Sequence, residues 1–292
     1  MRIAIFGKQF GEVFYSACKS LFQILKEDEV ELVIHKPFYD FLLSDVKMKP
    51  DVDGFFTGHS DFDGVDLVFS IGGDGTFLEA VTYVRDKGIP IVGINSGRLG
   101  FLADISKGEM KAALHDVLNG RYRVRQLDLL SLETEGRHFG DCNFALNELA
   151  VSKRDSSAMI IVHTYVNDEF LNSFWADGLI IATSTGSTAY SLSVGGPILH
   201  PDSKSFVITP IAPHNLNVRP IVIPNDVEVT LKVEGRDAKF LASLDSRSEV
   251  FENSVHLKVK KAAFSVKVIE LAEHSFFTTL RNKLMWGVDK RN

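Results

Sequence analysis

The sequence predicts a doubly wound, Rossmann-like α/β domain over residues 1–125, an all-β, sandwich-like domain over 126–270, and a C-terminal helix in 271–292 that returns to pack on the first domain. Three observations carry this reading. Short apolar strands alternate with helical stretches as far as about Arg125. Beyond it, short strands separated by turn residues replace the helix-strand rhythm. Near the end, Phe276-Phe277-Thr278-Thr279-Leu280-Arg281-Asn282-Lys283-Leu284 spaces its apolar residues as one face of a helix.

In order, residues 2–6 form the first strand, 13–26 a helix, 30–35 a second strand and 38–47 a second helix. Residues 49–64, rich in Asp and Gly, read as a loop. Asp66-Leu67-Val68-Phe69-Ser70-Ile71 is a short apolar run closed by two glycines, the pattern of a strand buried on both faces. Thr76 is placed to cap the following helix, with Glu79 reaching back to complete a capping box. That helix ends near Gly88; residues 89–94 are a further buried strand and 107–118 a helix. In the second region, strands are expected at 130–135, 139–150, 159–166, 169–175, 179–182, 206–209, 227–233 and 255–260, with one short helix inserted at 187–194 and closed by Gly195-Gly196-Pro197.

Gly72-Gly73-Asp74-Gly75-Thr76 is the stretch around which the chain is organised. It falls where a buried strand stops and a helix starts, and the first amides of a helix attract anions because they have no intrahelical partner. Gly72, Gly73 and Gly75 let backbone approach a ligand closely. Asp74 is odd there, because a carboxylate beside a phosphate repels it unless it meets a cation or accepts a proton. In a glycine loop, no packing is expected to depend on it. Two better-known glycine loops fail on spacing: no G-x-x-x-x-G-K-[ST] exists, and Leu78 stands where G-x-G-x-x-G needs its third glycine. The residues alone leave a phosphate-binding loop and a plain strand-to-helix turn both open.

Other stretches carry two readings each. Asn147-Glu148 interrupts an apolar run, either as a pair that reads hydroxyls or a base edge or as polar breaks in an edge strand. Ala176-Asp177-Gly178 reads as a hairpin turn. Thr183 to Tyr190 packs five hydroxyl side chains and Tyr190 around Gly186 at a helix start, able to cradle ribose or phosphate oxygens or merely to cap. His214, in a proline-stiffened loop, is a candidate site residue; His163 reads as structural.

The 292 residues are 45% hydrophobic with a net charge of −6, which fits a folded, soluble protein of two domains or one large one and argues against nucleic acid as the main partner. Cys18 and Cys142 have no metal-type spacing, and no signal peptide or membrane-length apolar run is seen, so a cytoplasmic setting is expected.

Taken together, these motifs resemble the NAD kinase family. The match runs through Gly72-Gly73-Asp74-Gly75-Thr76, Asn95 with Gly97-Arg98-Leu99-Gly100-Phe101-Leu102, Asn147-Glu148, and Asp177-Gly178 leading to Thr185-Gly186-Ser187-Thr188-Ala189-Tyr190-Ser191-Leu192-Ser193 and Gly195-Gly196-Pro197. The resemblance implies phosphorylation of the 2′-hydroxyl of the adenosine ribose of NAD, with ATP or another phosphoryl donor and Mg²⁺ or another divalent cation. It implies a site between the two domains and a homodimer or homotetramer. It assigns Asp74 as the base, with Gly75 beside it, and Asn147, Glu148, Asp177, Thr188, Ala189, Tyr190, Ser191, Leu192, Ser193 and Ala212 to the dinucleotide pocket; no metal ligand is assigned. Ser187 and His214 join the candidate binding residues from the loop readings above. Two positions depart from the family: Ser184 replaces a usual proline, which is expected to loosen its loop, and Arg247, also a candidate binding residue, replaces a common glutamine. The rival readings are a lipid kinase of the diacylglycerol or sphingosine type, which shares the glycine-aspartate loop, and a non-catalytic NAD-binding regulator.

Overall fold

The computed structural model describes residues 1–136, 138–154 and 158–285. Two compact units divide the chain, one made of Met1–Gln126 with the C-terminal stretch from Val266, the other of Leu127–Ser265.

The first unit runs β1 (Arg2–Gly7), α1 (Tyr15–Glu27), β2 (Glu31–His35), α2 (Lys36–Ser44), β3 (Gly54–Phe56), β4 (Leu67–Gly72), α3 (Asp74–Val84), β5 (Ile91–Asn95) and α4 (Met110–Leu118). Its strands pair in parallel in the order β3-β2-β1-β4-β5. Side-chain parity explains why helices cover both faces. Ile3, Ile5, Leu32, Ile34, Leu67, Phe69 and Ile71 share one apolar cluster with residues of α1, α2 and α4. Phe6 and His35, of the opposite parity, meet Tyr83 of α3 at ring distances of 5.0 and 5.4 Å. β3 lies inside the stretch expected to be a loop; it is three residues long and gets its extended form from pairing with Val33 to His35 rather than from a pattern of its own.

The strand order reverses between β1 and β4. In sheets of this kind, the crevice at the carboxyl ends of the two strands flanking the reversal is where ligands bind. Gly72 and Asp74 stand at that edge.

The second unit contains β6 (Arg123–Glu133), which begins just before the boundary, then β7 (Phe144–Ala145), β8 (Glu148–Lys153), β9 (Ile160–Val166), β10 (Glu169–Ala176), β11 (Gly178–Thr183), α5 (Tyr190–Ser193), β12 (Ser205–Ile211), β13 (Ile221–Pro224), β14 (Val229–Glu234), β15 (Lys239–Leu244), β16 (Arg247–Glu252) and β17 (Leu257–Glu270). One sheet has the order β13-β12-β11-β8-β15-β16; the other joins β10, β9, β14 and the start of β17, with β6 and β7 alongside. Alternate residues of both sheets, among them Leu149, Val151, Val162, Leu179, Ile181, Val229, Leu231, Phe240 and Val259, form one core, so the unit is a β-sandwich. The outer face of the six-stranded sheet is covered too: Ala150, Ile180, Ala182 and Val207 pack with Val194 and Leu199 from the segment after α5.

Several expectations need correction. The single strand expected over 139–150 is two, broken at Leu146-Asn147, and β13, β15 and β16 lie where none was expected. Asp177-Gly178 is not a hairpin turn: β10 pairs with β9 while β11 pairs with β8 and β12, so the dipeptide carries the chain from one sheet to the other. β17 continues ten residues beyond its expected end. Its first residues pair antiparallel with β14 and Val268 pairs in parallel with Ile91 of β5, which moves the boundary expected at 270 back to 265. The final helix, α6 (Phe276–Leu284), spans the expected residues and is capped by Ser275, whose hydroxyl accepts the Thr278 N–H at 3.2 Å.

Candidate active site

β4 is buried along its whole length and gives way to α3 at Asp74, with Gly73 as the residue before the helix. The capping box does not form: no side chain caps this end, and Glu79 pairs with Lys8 instead. Thr76 is buried against Gly72, where an added Cβ would lie 2.2 Å from the Thr76 hydroxyl oxygen. Gly73 and Gly75 are exposed and, among the described residues, have nothing within 4 Å of the place a Cβ would occupy, so their backbone is open to a ligand.

Asp74 is far from idle in the fold. Its Oδ1 accepts the N–H groups of Leu102 at 2.9 Å and Ala103 at 3.0 Å, and its Oδ2 accepts Phe101 N–H at 2.9 Å and the Lys283 ammonium at 3.1 Å. The expectation that no packing depends on Asp74 is therefore overturned: the carboxylate is the anion in a nest of three successive amides. Burial works to raise its pKa, but those amides and Lys283 outweigh it and hold the carboxyl below its ordinary value. Asn95, buried at the end of β5, braces the same loop by accepting Gly97 N–H at 2.6 Å and donating to the Ala103 carbonyl at 3.2 Å.

In the second unit, Asn147 and Glu148 are both buried. What turns the chain there is Asp245, whose carboxylate accepts three successive N–H groups: Leu146 at 3.0 Å, Asn147 at 2.8 Å and Glu148 at 3.2 Å. Thr183 closes the other side, its hydroxyl donating to Leu146 O at 2.6 Å and its N–H to Asn147 O at 2.8 Å. Gly186 must lack a side chain, since a Cβ would lie 2.1 Å from Asn147 O. The backbone N–H of Tyr190 acts on Glu148 to lower its pKa, while Glu148 Oε2 is buried with no hydrogen-bond partner among the described residues. Burial first, and the Asp245 charge second, push the Glu148 pKa up to about 8.

The hydroxyl-rich stretch is a 3₁₀ turn over Thr185–Thr188 followed by α5. Its hydroxyls divide. Ser187 is fully buried, donating to Ser184 O at 2.7 Å and accepting Leu199 N–H at 2.9 Å, and Ser191 is bonded to the Thr209 hydroxyl at 2.9 Å. Those two groups brace the segment from within. Thr188 and Ala189 are half-buried, Leu192 likewise, and Tyr190 and Ser193 are exposed. Asp177 pairs with Lys153 at 2.6 Å, and its N–H donates to Ile211 O, next to Ala212, at 2.9 Å. Ala212 is exposed with φ +45°, and His214, also exposed, is tied by its N–H to Trp175 O at 2.8 Å. Arg247 donates to the carbonyls of Cys142 and Phe144 and lies 5.4 Å from the Phe144 ring centroid, so its guanidinium is anchored to the strand before Asn147.

Ser184 does not loosen its loop. It is buried, its φ of −58° is one that proline would impose, and its hydroxyl donates to the carbonyls of Ser203 and Ser205. The reading of the sequence missed Asp245 and Lys283, because each matters through partners distant in the chain. An Asp in a turn and a Lys on an amphipathic helix give no local signal of either role.

Residues 4–122 match the ATP-NAD kinase N-terminal domain and residues 146–271 the ATP-NAD kinase C-terminal domain. The chain is 46% identical over 292 residues to the NAD kinase of Cytophaga hutchinsonii and 48% identical over 291 residues to that of Bacteroides fragilis, each match covering 100% of both chains. This chain belongs to the NAD kinase family. Among solved structures, it resembles an NAD kinase from Archaeoglobus fulgidus in complex with ATP, with a TM-score of 0.77 and 26% identity over 98% of this chain and 99% of that one. Yeast NADH kinase complexed with NADH shares the fold, with a TM-score of 0.87 at 22% identity over 99% of this chain and 88% of that one. NAD kinase membership sets aside the lipid-kinase reading, which rested on the glycine-aspartate loop alone.

Proposed function

We propose that this NAD kinase transfers the γ-phosphoryl group of ATP to the 2′-hydroxyl of the adenosine ribose of NAD, giving NADP. The observation that carries this reading is full-length identity of 46–48% with NAD kinases. The Archaeoglobus relative in complex with ATP supports ATP as donor. Asp74 is the group that faces the acceptor hydroxyl. Phosphoryl transfer through a loose transition state asks for alignment and charge stabilisation more than for a strong base. A carboxylate held below its ordinary pKa suits that demand: it orients the hydroxyl, accepts its proton late as the O2′–P bond forms and the bond to the leaving phosphate breaks, and passes the proton to solvent. Asn147, Glu148, Asp177 and the Thr188 to Ser193 segment hold NAD, with Ala212 and His214 beside them.

Among the described residues, no group of three or more His, Cys, Asp or Glu side chains is arranged to hold a metal ion. In phosphoryl-transfer sites Mg²⁺ is usually held by one or two carboxylates together with the substrate phosphates. When bound, it neutralises charge on the phosphates. Homodimeric or homotetrameric assembly and a cytoplasmic setting complete the reading; among the described residues no helix is long and apolar enough to cross a membrane.

Purified protein with NAD, Mg²⁺ and a panel of ATP and inorganic polyphosphate is the test. NADP should form with NAD present, and lipid acceptors should give no product. An NAD-binding protein without turnover on any donor would favour the regulator instead.

A further inference from the structure

Asp74 needs a cation if an anionic donor is to approach it, and the chain supplies one from 209 positions away. Lys283 lies in the last turn of α6, where the helix end carries partial negative charge and a lysine is favoured. Its Nζ is 3.1 Å from Asp74 Oδ2 and 4.6 Å from the centroid of the Phe101 ring. Phe101 in turn donates its N–H to the same Oδ2, so the three residues close on one another. The placement is built rather than incidental. Phe276 at the start of α6 meets the Phe101 ring at 6.1 Å, His274 just before the helix bonds Asp104 at 3.0 Å, and Thr279 and Leu280 are buried. Side-chain exposures of 30% for Lys283 and 28% for Asp74 leave both groups able to face a ligand while bonded to each other. Lys283 also falls outside both matched domain segments, which end at 122 and 271.

We propose that Lys283 is a positioning residue for phosphoryl transfer, its ammonium orienting Asp74 and offsetting the carboxylate's charge so that the polyphosphate donor can approach. Without it, the donor's negative charges meet an uncompensated carboxylate. With it, the Asp74–Lys283 pair is close to neutral, and the ammonium can lean toward a phosphate oxygen without leaving the site. The proposal rests on the kinase reading above. A merely structural ion pair predicts something different: loss of α6 docking, with stability and every kinetic constant falling together.

The experiment compares full-length wild type, Lys283→Met, Lys283→Gln and Lys283→Arg. NADP formation is followed with MgATP and NAD varied separately, NAD affinity is measured by calorimetry without donor, and melting curves are recorded. Lys283→Met and Lys283→Gln should lower kcat/KM for MgATP about tenfold, the factor carried by one charge-assisted hydrogen bond. NAD affinity should change less than about twofold and Tm by about 2 °C or less, as expected for a half-exposed ion pair. Lys283→Arg, which keeps the charge, should recover most of the loss. If Lys283→Met does not fold, the Gln variant carries the comparison. Wild-type donor kinetics in a folded neutral variant overturn the proposal, as does a parallel loss of Tm, NAD affinity and turnover that arginine does not repair. A wild-type enzyme that makes no NADP from any donor overturns the kinase reading itself.

Discussion

Glu148 and Asp245 are buried carboxyl groups that act on each other, and only one of them is well supplied with donors. Asp245 accepts three backbone N–H groups and has the Arg247 guanidinium at 3.9 Å. At Glu148 only the Tyr190 N–H is named as opposing the lift, and its Oε2 is buried without a hydrogen-bond partner among the described residues. Burial lifts the pKa of both, but the amides oppose the lift far more at Asp245. The three amides and Arg247 hold Asp245 down against burial, so burial and the Asp245 charge raise Glu148 and favour its protonated form near neutral pH.

That assignment gives a stability prediction with a definite sign. The folded pKa of Glu148, about 8, is raised above its ordinary 4.5, so the folded state binds the extra proton between those values. Stability from this group is fully present below pH 4.5 and is lost as pH rises toward 8. Glu148→Gln removes the titration and keeps the size. Its Tm relative to wild type should be roughly 3–6 °C more favourable at pH 8 than at pH 5. Calorimetric melts across that range check it, and parallel wild-type and variant curves would refute the protonated assignment. For NAD, wild-type affinity should weaken above pH 8 while that of the glutamine variant stays flat.

His35 titrates in the opposite sense. It is buried between Phe6, at 4.6 Å, and Phe56, at 5.6 Å, with Tyr83 Oη at 3.2 Å from its Nε2. Burial lowers its pKa below the ordinary 6.5, so its stabilising neutral form is complete above 6.5 and is lost as pH falls below it. His35→Phe keeps the ring stack and removes the charge. Its Tm should fall less than that of wild type between pH 7 and pH 5; an equal decline would place the acid-sensitive group elsewhere.

What the sequence made legible follows from range. The strand-loop-helix around Asp74 was readable because an apolar run, two glycines and a helix start are local features, and all lie within twelve residues of each other in the fold as in the chain. α6 was readable for the same reason. The N-terminal turn of α3 was misread because Glu79 had two available partners, and the one chosen, Lys8, directly follows β1. β15 and β16 escaped because the inward residues Phe240, Ala242 and Leu244 of β15 alternate with Lys239, Leu241 and Ser243, a mixed set that shows no clean period of two until Leu149 and Val151 of β8 are beside it. At the site, the motif residues could be named, but their division into ligand-facing and bracing groups could not. Ser187 and Ser193 look alike in sequence, and only the fold turns one inward and leaves the other exposed.

Ser184 tests how far its hydroxyl replaces a ring. With φ already at −58°, the residue needs no proline to hold its backbone, but it does need its bonds to Ser203 and Ser205. Ser184→Ala should cost about 1 kcal/mol, a Tm decrease of roughly 2–4 °C, because the half-buried carbonyls of Ser203 and Ser205 lose a donor. An unchanged melt would mean that the loop is held by Thr183 and Ser187 alone.

Gly100 allows Asp74 to be disturbed without altering its chemistry. A Cβ on Gly100 would fall 2.0 Å from Asp74 Oδ1 and 3.0 Å from Ala103 O, so Gly100→Ala must displace the carboxylate or the loop that cradles it. Asp74→Asn removes the charge in place and leaves one acceptor oxygen where two now receive four donors. If Asp74 aligns and deprotonates the 2′-hydroxyl, Asp74→Asn should lower kcat about 10²–10⁴-fold. Because the amides of 101–103 lose a charged partner, its Tm should also fall by roughly 3–8 °C. Gly100→Ala should lower kcat as well, with the carboxylate still present and NAD affinity within about twofold of wild type, since NAD is held mainly by other residues. Steady-state kinetics, calorimetry with NAD and melting curves separate these effects. A folded Asp74→Asn protein with near-normal kcat would remove Asp74 from the chemistry. A fully active Gly100→Ala protein would instead show that the carboxylate leaves its amide nest before the phosphoryl group moves.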